Sequence, residues 1–334
     1  MTLKELAAAC GLSVSAVSKA LNDRPDVSPE TRAAVRAKAE ALGYRPNALA
    51  RALKSGRTYT LGVLFADLAR RGLTHCYFGP VIDAFKNAAE SRGYEVTFLS
   101  HTGPGGMTYL ERCRTRGFDG VCIINFDAED DEVLELVRSE VPLVSIDYPY
   151  ADRGCIRSDN AAGIAALTRY VLSRGHRRVG LVMGEPSGVT EIRRAGFLQV
   201  MRGHELEVPD AYMVPSRFHD PRAARSAVER LLDLPERPTC IMISDDLAAL
   251  GGMEAIRARG LRIPEDISIV GYDGVELLQL CRPRLTTYAQ DTARIGREAA
   301  AQLIAQIEVP GTPGRTLTVP GQLLEGETVA APAS

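Results

Sequence analysis

YTLGVLFADLARRGLTHCYFGPVIDAFKNAAESRGYEVTFL, residues 59–99, sets two kinds of segment side by side. Leu61–Phe65 and Glu95–Leu99 are apolar runs of strand length, and residues 78–92 between them space their apolar side chains as a helix does. Short apolar strands with a helix between them imply parallel sheets covered on both faces. The pattern continues toward the C-terminus. Helices are expected over 107–116 and 132–139, each leading to a strand, Gly120–Ile124 and Leu143–Ile146. A second series follows, with helices over 161–174, 190–202, 222–232 and 247–259 and strands Val179–Met183, Cys240–Ile243 and Ile267–Val270. Two such series in succession predict two α/β lobes. A helix over 291–307 and strands Leu317–Val319 and Leu323–Leu324 finish the chain.

Upstream the texture is different, because the first 44 residues read as short helices. Thr2-Leu3-Lys4-Glu5 fits a capping box, in which the threonine oxygen takes an orphan amide and the glutamate reaches back. Leu3, Leu6, Ala7 and Cys10 follow on one face, and Gly11 ends the helix. Ser13 caps a second helix, Val14–Leu21, with Val17 and Leu21 pointing inward and Asn22-Asp23 closing it. Ser28-Pro29-Glu30 opens a third: a cap, a proline at the first helical position, then an acid near the positive dipole end. Val35, Ala39 and Leu42 mark its buried stripe.

Leu3–Leu21 has helix–turn–helix spacing. Such a motif lays its second helix in the major groove, where the first residues of that helix read base edges. Here those are Val14 and Ser15, with Lys19 one turn on. Valine meets a thymine methyl, serine donates or accepts, and lysine donates to guanine. Thr2, Ser13, Asn22 and Ser28 suit phosphate contacts, which position without reading sequence. The same spacing also fits a small helical cap with no ligand. Residues 46–58, PNALARALKSGRT, form a separate segment. Asn47 can cap a short helix over Ala48–Lys54. Leu49 and Leu53 beside Arg51 cannot build a core there, so the segment needs a partner to stay ordered. A leucine next to an arginine can wedge into a minor groove, Leu53 being the better placed. The alternative is a plain interdomain linker.

Composition bounds the rest. A chain of 334 residues, 45% apolar and 25% charged, has room for two or three domains and a large core. No run reaches the ~18 apolar residues of a membrane span, and the start MTLKELAAAC does not read as a secretory signal. Seven scattered cysteines without a CxxC suggest reduced thiols in the cytoplasm. Five histidines without metal spacing argue against a metal site. No GxSxG or Walker sequence occurs, and no nucleophile, base and orienter assemble, so neither enzyme activity nor a cofactor is expected. Gly103–Gly106 reads as a surface turn, and the acids of 129–132 as a helix start. Residues 1–58 carry ten Lys and Arg against five Asp and Glu, while the remainder carries 30 against 37. A basic head on an acidic body suggests that the head alone meets a polyanion.

LKELAAACGLSVSAVSKALN and VSPETRAAVRAKAEALGYRPNALARALKSGRT together resemble the DNA-binding head and hinge of the LacI family of bacterial transcription regulators. The likeness runs on through VSIDYP, SDNAAG, LSRGHRRVGLVMG, RRAGF, MISDDLAALGG, RIPEDISIVGYDG and LTTYAQDTARIGREAA, nearly the whole chain in family order. It implies a head over 1–45, a hinge over 46–58 and a two-lobed core of the type I periplasmic-binding-protein fold over 59–334. Within that core the first lobe is expected over about 59–158 plus 291–308, and the second over about 159–290 plus 315–328. The resemblance also implies a homodimer on a pseudo-palindromic double-stranded operator, controlled by a small, sugar-like effector. Family-style effector contacts match Asp147, Ser158, Arg193, Phe218, Asp245, Asp273 and Gln290, together with Asp67 and the aromatic pair Tyr77-Phe78.

The chain departs from the family pattern at Ala16 and Lys19, where threonine and arginine are usual. It departs again after Asp67, where LARRGLTHC lengthens a loop that normally carries an asparagine–proline. Asp245, Asp246 and Asp273 also suit turn or helix caps. The tail VAAPAS is too short for a heptad helix, so a dimer is expected. Two rivals remain at this point: a solute-binding protein sharing only the core fold, and a sugar-acting α/β enzyme with a DNA-binding head.

Overall fold

A computed structural model describes residues 1–21, 24–44, 56–65, 72–99, 106–126 and 129–332. The predicted hinge contacts Asn47, Leu49, Arg51 and Leu53 lie outside the described residues, as do Asn22 and Asp67. The chain divides into two compact units, Met1–Tyr59 and Thr60–Ser334.

The first unit holds α1 (Leu3–Cys10), α2 (Val14–Leu21) and α3 (Pro29–Ala41). Local chemistry sets their ends. Thr2 Oγ1 accepts from the Glu5 amide at 3.3 Å, and a Glu5 carboxylate oxygen accepts from the Thr2 amide at 2.8 Å. Gly11 sits at φ +63, the left-handed geometry that a C-terminal cap requires. Ser13 and Ser28 cap α2 and α3 through the amides of Ala16 and Thr31. Leu6, Ala7, Val17, Ala20, Val35 and Ala39 form the core. Two inward assignments shift: Leu21 is half-buried with Ala20 taking the core position, and Leu42, at the end of α3, is exposed.

The second unit is built from two six-stranded sheets. Its elements run β1 (Thr60–Phe65), α4 (Phe78–Ser91), β2 (Glu95–Leu99), α5 (Tyr109–Arg116), β3 (Gly120–Ile124), α6 (Asp131–Arg138), β4 (Leu143–Ile146), β5 (Gly154–Ser158), α7 (Asn160–Ser173), β6 (Val179–Met183), α8 (Gly188–Gly203), β7 (Met213–Pro215), α9 (Pro221–Leu232), β8 (Cys240–Ile243), α10 (Asp246–Ala258), β9 (Ser268–Asp273), α11 (Glu276–Leu280), β10 (Thr286–Ala289), α12 (Thr292–Glu308), β11 (Thr316–Val319) and β12 (Gln322–Leu324). The first sheet has the order β11-β5-β4-β3-β1-β2 and the second β12-β10-β9-β8-β6-β7. Every strand pair is parallel except β10 with β12. Central strands such as β3, β4 and β8 are buried along their whole length, as strands covered by helices on both faces must be.

The lobes exchange chain. After β10 the polypeptide returns to the first lobe, where α12 packs along α4. Gly296 permits that approach, since a Cβ there would lie 2.3 Å from the Val81 carbonyl oxygen. The expected second-lobe segment 315–328 needs correction. β11 pairs in parallel with β5, Thr316 opposite Cys155, so residues 316–319 complete the first sheet, and only from β12 does the chain join the second. Strands β5, β7 and β10 were not apparent in the sequence. They are three to five residues long and carry polar or proline positions that break an apolar run.

Candidate functional site

In the first unit the described residues expected to face DNA are all exposed. Val14 is 40% exposed although apolar, and Ser15 and Lys19 are exposed beside it on α2. The hydroxyl oxygens of Thr2, Ser13 and Ser28 accept helix amides, and all three residues are exposed. The Ser28 hydroxyl donates to Thr31 Oγ1 at 3.1 Å, while those of Thr2 and Ser13 suit a phosphate oxygen. Lys19 Nζ meets Asp26 Oδ2 at 2.5 Å.

In the second unit a cavity of about 1170 Å³ opens between the two sheets, at the C-terminal ends of their strands. Crevices of α/β sheets take ligands at this end. It gathers Tyr77, Phe78, Asp147, Arg193, Phe218, Asp273 and Gln290, seven of the expected effector residues. Arg193, on α8, is 8% exposed. Its Nε donates to Asn160 Oδ1 and its Nη1 to the Ser244 carbonyl, both at 2.8 Å, and its guanidinium lies 3.6 Å from the Tyr272 ring centroid. Among the described residues Nη2 has no acceptor, and it suits a ligand oxygen. Phe218 stands 5.7 Å from the same guanidinium and fills space that glycine leaves, because a Cβ on Gly184 would lie 2.2 Å from its ring.

Carboxylates face the arginine. Asp147 follows β4 at φ +65, and its Oδ2 accepts from the Tyr77 hydroxyl at 3.2 Å. Its Oδ1 is buried with no hydrogen-bond partner among the described residues. Burial raises the Asp147 carboxyl against the pull of Arg193. Burial and the Asp147 charge keep the Tyr77 hydroxyl protonated far above its ordinary value. Asp273, at the end of β9, accepts from Gln290 Nε2 at 2.6 Å. Burial pushes it up to about 6, with His219 and Arg193 pulling the other way.

Two of the expected contacts lie outside the cavity lining. Asp245 does not line the cavity. It is fully buried as the cap of α10, where it accepts from the Ala248 amide at 2.8 Å and the His219 amide at 2.9 Å. Burial pushes its carboxyl up, but the His219 bond and charge outweigh that and hold it below the usual range. Ser158 also lies outside the wall, buried at the end of β5, with no hydrogen-bond partner for its Oγ among the described residues. Asp246 is structural as well, tied to the Thr287 hydroxyl at 2.6 Å and the Val275 amide at 2.7 Å.

The cavity also holds residues that sequence reasoning missed. His75 and His219, one from each lobe, meet edge to face at 4.2 Å. His75 Nδ1 accepts from the Tyr77 and Phe78 amides at 3.2 Å, which places its proton on Nε2. Burial lowers His219, but the Asp245 hydrogen bond and charge outweigh it and raise the imidazole above its usual value. His219, Asp245 and Asp273 bring metal-ligand atoms within 4.8 Å of one another, and the His219–Asp245 pair and the Gln290–Asp273 bond account for this grouping without an ion. Asn125 and Glu185 line the wall just past β3 and β6, so their position at strand ends could have marked them. Nothing comparable marks His75.

Residues 2–47 match the model of the lacI family of bacterial regulatory proteins, and residues 168–329 that of a periplasmic binding protein-like domain. The HTH-type transcriptional repressor PurR of Serratia proteamaculans (strain 568) is 33% identical over 337 residues, covering 98% of this chain and 97% of that protein. The chain belongs to the LacI family. It is accordingly a DNA-binding transcriptional regulator with an effector-binding core. Among solved structures, the lac repressor dimer bound to operator and the anti-inducer ONPF is similar with a TM-score of 0.81 at 25% identity, over 99% of each chain. The CelR–cellobiose complex is similar with a TM-score of 0.71 at 26% identity, over 98% of this chain and 99% of that one. LacI membership answers the solute-binding rival, since the PurR likeness spans head and core together.

Proposed function

We propose that this LacI-family chain is a homodimeric repressor, acting in the cytoplasm, whose grip on a pseudo-palindromic operator is set by a sugar-like molecule held between the lobes. The carrying observation is the buried Arg193 guanidinium, fixed over Tyr272 in a cavity that Asp147, Asp273 and Gln290 also line. A polyol needs this mixture. Carboxylates at Asp147 and Asp273 accept from its hydroxyls, Arg193 and Gln290 donate to its oxygens, and Phe78 and Phe218 cover its apolar ring face. The CelR–cellobiose complex supports a sugar, and the lac repressor dimer on its operator supports the assembly.

Two heads place their α2 helices in successive half-sites, with Val14, Ser15 and Lys19 on base edges. Thr2, Ser13, Asn22 and Ser28 hold phosphates. Two hinge segments pair across the dyad and insert Leu53 at the central step, with Asn47 as the cap, Leu49 a turn before and Arg51 flanking. Leu277 and Leu280 on α11 are 65% and 73% exposed, an apolar surface that a second copy would cover. Effector binding shifts DNA affinity through its differential affinity for two lobe arrangements.

The test is a thermal-shift and calorimetric screen of neutral sugars, sugar acids and sugar phosphates, followed by Arg193→Met on the best ligand. Losing a charged donor costs about 1.5–3 kcal/mol, roughly a 10- to 150-fold rise in Kd. Unaltered affinity in the variant would remove Arg193 from the site. A screen with no stabilising ligand would remove the sugar reading.

A further inference from the structure

We propose that Asp26 is a specificity-determining residue, and that the head reads a G·C base pair with the Lys19–Asp26 pair rather than with Lys19 alone. This rests on the reading of α2 as the base-reading helix. Asp26 lies in the turn between α2 and α3, and its Oδ2 accepts from Lys19 Nζ at 2.5 Å. Both side chains are about half exposed, 48% and 52%, so water or DNA can reach the pair.

Hydrogen bonds hold residues 24–27, which carry that carboxylate. The Arg24 amide donates to the Lys19 carbonyl at 3.1 Å, and the Val27 amide donates to the Arg24 carbonyl at 3.2 Å. Arg32, reaching back from α3, donates through Nη2 to the carbonyls of Arg24 at 3.0 Å and Val27 at 3.2 Å. A depression of about 700 Å³ joins Asp26 to Val14, Ser15, Ser18, Lys19 and Arg24, so the acid shares a wall with the groups expected on base edges.

A carboxylate on a surface that meets phosphates is repelled unless a cation accompanies it. Lys19 is that cation, and its hydrogen bond holds the Asp26 carboxyl below the usual range. A lone lysine is a point charge on a flexible stem that discriminates poorly among acceptors. Tethered to Asp26, the ammonium has a fixed direction, and the pair offers donor and acceptor together. In the major groove guanine offers only acceptors, O6 and N7, and its partner cytosine offers the N4 amino donor. Asp26 Oδ1, not used by Lys19, would take that amino group. The neutral pair also releases no counterion of its own, so it would add sequence preference without adding salt dependence.

The experiment selects binding sites for the full-length chain from duplexes with randomised half-sites, then measures affinity for the selected and for random duplexes at several salt concentrations. Wild type, Asp26→Ala, Asp26→Asn, Lys19→Ala and the double alanine variant are compared, with the helical signal of each head as the folding control. Wild type is expected to enrich G·C at one half-site position by about fivefold or more. Asp26→Ala and Asp26→Asn should lose that preference and bind random DNA more tightly, with a log–log salt slope steeper by about one as Lys19 is freed. The two single alanine losses should not add in the double variant, since both break one unit. If both Asp26 variants select the same base pair with the same slope, Asp26 is structural and the proposal is overturned. If the wild type enriches no sequence, the base-reading assignment of α2 falls and takes this proposal with it.

Discussion

The head and the effector cavity solve opposite problems with the same residue types. In the head every described contact residue comes from residues 2–28, its hydrogen bonds reach a few positions along the chain, and its polar groups stay in water. In the cavity the residues come from Tyr77 to Gln290, and Arg193, Asp273 and Gln290 are buried and bonded before any ligand arrives. A polyanion is met by hydrated charges that cost little to hold. A small uncharged ligand competes with water for each hydrogen bond, so its partners must be desolvated and oriented in advance, at a cost to stability.

The largest test of this contrast separates the two units by stability. The head rests on six buried side chains, of which Leu6 is the largest. Leu6→Ala should cost about 2–5 kcal/mol, comparable with the whole stability of so small a unit. The head should then melt at room temperature and operator binding vanish, while the main calorimetric transition and effector affinity stay as in wild type. A large fall in the main transition would break the comparison, because it would make the two units one cooperative body.

Asp273 tests the cost on the cavity side. Its folded value of about 6 lies above the ordinary 3.8, so the folded protein holds this proton more tightly than the unfolded chain does. Stability from this group is complete below about pH 3.8 and is lost as pH rises through about 6. Asp273→Asn keeps an acceptor for Gln290 and removes the charge. At pH 7.5 it should stabilise the core by about 1–3 kcal/mol, the gain shrinking toward pH 4, while effector affinity falls. Melting curves of both proteins from pH 4 to 8 give the difference directly. A difference flat with pH would mean that Asp273 titrates as if exposed.

The same contrast explains what could be read from the sequence. The ends of α1, α2 and α3 were legible because a cap, a proline or a glycine acts within four residues of where it stands, as Thr2, Gly11 and Pro29 do. The α/β alternation was legible for the same local reason. The cavity was not derivable this way. Tyr77, Phe78, Asp147, Arg193, Phe218, Asp273 and Gln290 were assigned through family resemblance, and the structure brings them together at strand ends that no spacing relates. Asp245 and Ser158, assigned by the same resemblance, lie outside the cavity lining, since a carboxylate that caps α10 and one that faces a ligand look alike in sequence. His75 and His219 were missed because their contact crosses between lobes over 140 residues apart in the chain. The exchange of β11 into the first sheet was missed because an edge strand's partner is a tertiary fact.

Val14 gives the smallest and sharpest test. An apolar side chain 40% exposed at the start of a helix contributes little to folding, so Val14→Ala should change the head's stability by no more than about 0.5 kcal/mol. On the proposed reading its methyl groups meet a thymine methyl, and losing that contact should cost about 1 kcal/mol at one base pair of each half-site. The measurement is relative affinity for operator variants at that position, at one salt concentration. Preference should flatten there and nowhere else, with an unchanged salt slope, because no phosphate contact is removed. Lost stability without lost preference would mean that Val14 packs against the head's own core, and the exposed face of α2 would then read DNA through Ser15 and the Lys19–Asp26 pair alone.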